Sequence, residues 1–150
     1  MRKLNIEVYD GQVEENFNID EFRCPANGEI LLNKQVLEHI NRLQRFRVWY
    51  NRAMIVDSGY RTREYNSTLK GASPKSQHMN GLAADIRYPN EFWGFSNERK
   101  LEFLTNIRNK WESLCIEDGV RGGVGWYNGF FHLDSRVGVG KMAFWNFRTE

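Results

Sequence analysis

The residues of this chain equipped for chemistry are Ser76-Gln77-His78, Asp85 seven positions on, and Phe131-His132-Leu133-Asp134. Two of the three histidines fall in these stretches, each accompanied by an aspartate. Two neutral imidazoles and one carboxylate form a ligand set that suits zinc and leaves one coordination position for water. Zinc lowers the pKa of such a water to near neutrality, and a neighbouring carboxylate can take its proton. Converging, these side chains would make a hydrolytic metal site. A lone histidine is more often a surface or core residue than a ligand, and this spacing is less diagnostic than His-Glu-x-x-His. Spacing alone leaves both readings open.

Convergence depends on the elements beneath. Asn80-Gly81 is the strongest short hairpin signal in the chain and predicts a two-residue turn within Ser73–Ile86. In that hairpin His78 would lie across from Ala83, which shares a sheet face with Asp85. His132 and Asp134, two apart in a strand predicted over Phe130–Leu133 and its end, also share a face. A second strand is expected at Gly122-Gly123-Val124-Gly125 and a third at Ala53–Val56, before the turn Asp57-Ser58-Gly59. Asn33 is a plausible N-cap for a helix whose apolar face is Val36, Leu37, Ile40, Leu43, Phe46 and Tyr50. Ser96 caps another, with Leu101, Leu104, Ile107, Trp111 and Leu114 on one side, and Thr62 caps a short one ending near Gly71. Helices and strands are segregated rather than alternating. The expected fold class is therefore α+β, a small, mainly antiparallel sheet flanked by helices. Residues 1–150 read as a single domain with an N-terminal arm of extended pieces over about 1–32.

Aromatic residues make up 14% of the chain and charged residues 27%, which suits a folded domain rather than a disordered one. A net charge of +2, with no dense basic run, argues against a nucleic-acid partner. Arg42, Arg45 and Arg47 on one helix, and Arg61 and Arg63 in a loop, read mostly as solvated surface. At most the balance favours an anionic surface such as a bacterial cell wall. Cys24 and Cys115 make no disulfide framework, and two free thiols are the simpler reading. The first ten residues are basic and then lack the apolar run of a signal peptide, and no membrane insertion is expected. His39 lies outside every motif and is expected to be structural or solvent-facing.

Taken in order, Ser58-Gly59-Tyr60-Arg61, Ser76-Gln77-His78, Gly81-Leu82-Ala83-Ala84-Asp85, Gly122-Gly123-Val124-Gly125 and Phe131-His132-Leu133-Asp134 resemble the M15 family of zinc peptidases. That family includes D-Ala-D-Ala carboxypeptidases and phage or bacterial peptidoglycan endopeptidases, on a fold shared with Hedgehog signalling domains. The Phe-x-x-x-Glu-Phe-x-Cys stretch at Phe17–Cys24, ahead of a long helix, resembles the small M15 group often found in phages. The likeness spans roughly residues 17–136. Carried over by position, it implies one zinc ion held by His78, Asp85 and His132. Arg61 resembles the arginine that binds a substrate carboxylate or carbonyl, a task suited to a planar, permanently charged fork. Ser76 matches a position that hydrogen-bonds substrate, although a turn serine is the plainer account. Arg61 has its own plainer account, a salt bridge bracing the loop.

Many relatives keep a glutamate three residues before the last histidine, and here that position is Gly129. Asp134 is then expected either to be the catalytic general base or to orient His132. The glycines at 122, 123 and 125 would allow close backbone approach in a cleft floor, and Tyr127 either lines the cleft or packs in the core. Cys24 receives no metal or redox role. The resemblance implies a monomeric zinc hydrolase of peptidoglycan peptides, an endopeptidase or D,D-carboxypeptidase. It would be phage-encoded, remaining in the host cytoplasm until release or carried in the virion. The alternatives are a non-catalytic phage structural or wall-binding module on the same fold, and an amidase cutting between sugar and peptide.

Overall fold

The chain, described here by a computed structural model over residues 10–149, sets its two long helices against one face of a five-stranded sheet. The N-terminal residues before Asp10, including the basic opening, lie outside the described residues. Strands β1 (Gln12–Glu14) and β2 (Phe17–Asn18) form a two-stranded ribbon, followed by a 3-10 turn at Ile19–Phe22. Asn18 and Glu21 satisfy each other's backbone donors there in a capping box. Helix α1 (Lys34–Tyr50) begins where the Asn33 side chain accepts from the Val36 amide, and helix α3 (Asn97–Asp118) begins on Ser96 in the same way. Short helix α2 (Arg63–Thr68) is capped by Thr62. All three caps match the sequence expectation.

The main sheet has five strands in the order β3 (Val56–Ser58), β4 (Ala83–Arg87), β6 (Phe130–Asp134), β5 (Gly123–Trp126), β7 (Ala143–Asn146). Its neighbours are antiparallel except β5 and β7. The α+β class therefore holds. Side chains alternate across this sheet with period two. Ala84, Ile86, Val124, Phe131 and Leu133 are buried in the core, where Phe46 and Tyr50 of α1 meet Phe131 and Trp111 of α3 meets Phe46. The opposite face carries Asp85, His132 and Asp134, so the helices build one side and leave the other for chemistry. Among the described residues no helix is long and apolar enough to cross a membrane.

Four expectations change. Asn80-Gly81 does not turn a hairpin. Gln77–Asn80 is a 3-10 helix capped by Ser76, and Gly81, at φ +67°, ends it with its amide on Gln77 and His78 carbonyls. The left-handed conformation that glycine supplies is spent on stopping that turn. Asn80 keeps a negative φ, whereas a type I′ hairpin needs both central residues positive. Ala83 accordingly pairs with Asp134 and not with His78. Leu101 is 52% exposed, because at 3.6 residues per turn it falls roughly 60° from Leu104, away from Ile107 and Leu114. The strand expected at Ala53–Val56 begins only at Val56.

The fourth change is Arg42, which is 2% exposed rather than solvated. Its Nε donates to Asp118 Oδ2 at 2.8 Å and its Nη1 to Ser135 Oγ at 2.6 Å, so the buried charge is paired. His39, also buried, sits against the same hydroxyl, with Nδ1 2.6 Å from Ser135 Oγ. Burial and the nearby Arg42 push the His39 imidazole down to about 3. The unfolded chain thus takes up a proton below about pH 6.5 that the folded chain refuses, and stability is lost as pH falls. Between pH 7 and pH 5 the native protein is expected to lose about 2 kcal/mol more unfolding free energy than His39→Asn, a difference read from urea midpoints at the two pH values.

Candidate metal centre

Register across the sheet assembles the site. Ser58 pairs with Asp85, Asp85 with His132, His132 with Gly125, and Gly125 with Trp145, one residue from each strand on one face. His78 reaches the same place from the 3-10 turn. Its Nδ1 lies 2.6 Å from the Gly59 carbonyl, an acceptor that fixes the N–H there and turns a bare Nε2 toward Asp85 Oδ2, 3.2 Å away. His132 Nδ1 is 2.9 Å from Asp85 Oδ1. One potential donor atom from each of His78, Asp85 and His132 lies within 4.8 Å of the others, and all three residues are buried. Two imidazoles and a carboxylate, each oriented by a hydrogen bond, are a donor set that fits a zinc ion.

Asp134 stands behind His132 and is 0% exposed. Its Oδ2 lies 2.8 Å from His132 Nε2 and accepts from Arg136 Nη2 at 2.7 Å. Its Oδ1 accepts from the Arg136 amide at 3.0 Å and Nε at 2.9 Å. Gly123 lies opposite Asp134, and a Cβ there would come within 2.5 Å of the carboxylate, so a bare backbone gives Asp134 its room. On the cleft side, Arg61 braces the triad. Its Nη2 is 3.3 Å from Asp85 Oδ2, its Nε donates to Ser58 Oγ, and its Nη1 donates to Asn66 Oδ1. Among the described residues three of its five N–H groups are engaged, and two remain. Ser76 Oγ accepts from the His78 amide at 3.2 Å, and this contact caps the turn that carries the histidine.

Burial pushes the Asp85 carboxyl up, but His78 and His132 together outweigh it and hold the group well below the usual carboxylate range. Asp134 is likewise raised by burial and pulled lower by His132 and Arg136. Burial opposes a charge on His132, yet hydrogen bonds with Asp134 and Asp85 prevail and raise it to about 9. For His78 burial prevails and the imidazole is pushed down. Without metal, His132 is therefore the cation between two carboxylates, and a metal ion would take the place of its proton.

His78, Asp85 and His132 floor a cleft of about 700 Å³ whose walls include Arg61, Lys70, Lys75, Tyr127, Trp145 and Phe147. Sequence reasoning missed Arg136 and Trp145 as site residues. Arg136 follows Asp134 at strand spacing and could have been read as its partner. Trp145 carries no such signal, because it lies eleven residues after Asp134, on a strand that enters the sheet parallel to β5. Asn66, buried, was missed too, and it ties Arg61 to the Ser73 carbonyl.

A family model described as Peptidase M15 matches residues 15–134. The match takes in Arg61, Ser76, Tyr127, the two histidines of the triad and both aspartates, and stops short of Arg136 and Trp145. Comparison with curated proteins gives no match.

Proposed function

The chain belongs to the M15 peptidase family, and from that premise we propose that it is a zinc-dependent hydrolase of amide bonds in peptidoglycan peptides. The observation that carries the proposal is the convergence of His78, Asp85 and His132, with each imidazole oriented by its second nitrogen. These three would hold the ion. Bound there, zinc supplies a Lewis acid and a water acidified to near neutrality.

The chain's own groups do the rest. Gly59 O fixes His78, and Asp134 fixes His132 by engaging its Nε2. Of the two roles open to Asp134, orientation is favoured over general base, because its oxygens are occupied by His132 and Arg136 and shut away from solvent. Arg61 offers its two remaining N–H groups to a substrate carboxylate or carbonyl, and the Ser76 hydroxyl keeps a hydrogen to donate. Among the described cleft residues, Asp85 is the only carboxylate, against Arg61, Lys70, Lys75 and Arg136. That balance favours a peptide carrying free carboxylates. We read the chain as one monomeric domain. The resemblance of Phe17–Cys24 to phage members favours a lysin or a virion wall-degrading protein.

The test is metal analysis followed by digestion of purified peptidoglycan with and without a chelator. One equivalent of zinc and chelator-sensitive release of new peptide amines are expected. Zinc at one equivalent with every wall type left intact would favour the wall-binding module, and free lactyl groups would indicate an amidase.

A further inference from the structure

We propose that the Tyr127 hydroxyl donates a hydrogen bond to the carbonyl oxygen of the scissile amide. The inference rests on the peptidase reading of the same cleft. Trp145 Nε1 donates to Tyr127 Oη at 2.8 Å. The phenol oxygen is thereby used as an acceptor, while among the described residues no protein acceptor takes the phenol's own hydrogen. Tyr127 lines the cleft with Arg61, Asp85 and His132. Its hydrogen is therefore available to whatever occupies that space.

The phenol is also held still. The Tyr127 ring stacks on Phe130 at 4.5 Å and 15° and meets the edge of Phe147 at 5.6 Å. Its backbone is pinned on both sides: the amide donates to the Phe130 carbonyl at 3.0 Å, and the carbonyl accepts from Tyr88 Oη at 2.7 Å. Trp145 is fixed in turn. It lies on Gly125, where any Cβ would collide with the indole, and its ring centroid is 5.1 Å from that of His132. One indole thus packs beside His132 with its ring and directs the phenol with its N–H, which sets Tyr127 in a constant relation to His132. Burial holds the phenol above its ordinary range, in keeping with a protonated donor at neutral pH.

As water adds to an amide, negative charge gathers on the carbonyl oxygen, and a donor already aimed there stabilises the transition state more than the ground state. No bond of Tyr127 is made or broken. With Asp134 enclosed by His132 and Arg136, Tyr127 is a neutral proton-bearing group that the cleft still offers.

The experiment compares zinc-loaded native protein, Tyr127→Phe and Trp145→Phe in two assays. One is turnover of purified peptidoglycan, and the other is calorimetric binding of a phosphinate pseudo-dipeptide, whose tetrahedral oxygens mimic the charged carbonyl. Tyr127→Phe keeps the ring and is expected to lose about 100-fold in kcat and a similar factor in phosphinate affinity, with KM within about twofold and zinc content unchanged. Trp145→Phe should move the same two quantities in the same direction by less. Native kcat and native phosphinate affinity in Tyr127→Phe would overturn the inference, as would failure of the native protein to bind the phosphinate. If native protein leaves peptidoglycan intact, the substrate reading fails, and the phosphinate comparison still decides the role of Tyr127.

Discussion

Asp85→Ala is expected to leave the protein with less than about a tenth of an equivalent of zinc and to lower peptidase turnover by on the order of 10³-fold or more, roughly 4 kcal/mol of lost transition-state stabilisation. Asp85 touches both other members of the triad and the arginine beside it: His78, His132 and Arg61 all reach its two oxygens. Removing it therefore takes away one ligand and the reference point for two others. It also strands Arg61, whose side chain is mostly buried, beside two imidazoles. Breaking a buried ion pair from one side costs about 3–5 kcal/mol, so a clear drop in the urea midpoint should accompany the loss of metal. Asp85→Asn separates the two effects. It keeps the shape and one acceptor for Arg61, so the midpoint should recover most of its value while zinc content stays low. A fully zinc-loaded and active Asp85→Asn protein would remove Asp85 from the ligand set.

Asp134→Asn should weaken zinc binding by about 10–100-fold, because the partner that orients His132 and raises its basicity is exchanged for a neutral amide. The informative measurement is turnover at saturating zinc. Orientation predicts activity within about tenfold of native once the site is filled, whereas a general base would cost about 10²–10⁴-fold that no amount of zinc restores. The enclosed geometry favours the first outcome. Arg136 should report the same arrangement from the other side: Arg136→Leu removes two donors from the carboxylate, and zinc affinity should fall with it.

Much of the scaffold was legible because its signals are local. Asn33, Thr62 and Ser96 announce helix starts by a contact three residues ahead, which sequence spacing encodes directly. Strands β5 and β6 were readable from composition, and the alternation that puts His132 and Asp134 on one face is a property of any extended chain. The hairpin at Asn80-Gly81 failed for a reason that is not local. Of the pair only Gly81 adopts a positive φ, and whether that closes a hairpin or a helical turn depends on where the next strand pairs, and β4 finds its partners in β3 and β6. Arg42 was misread because a helix exposes no hint that Ser135 and Asp118, each more than seventy residues away, would come to meet it.

By itself the sequence determined the residue types that suit a metal, their order along the chain and the family to which that order belongs, since ligand chemistry resides in the side chains. Tertiary structure alone decided that His78 arrives on a 3-10 turn rather than a strand, that Asp134 is enclosed by Arg136, and that Trp145 joins His132 to Tyr127. The physical reason is range. Caps and alternation are fixed by neighbours a few residues apart, whereas the environment of a carboxylate or a phenol is set by strands that meet only when the sheet closes.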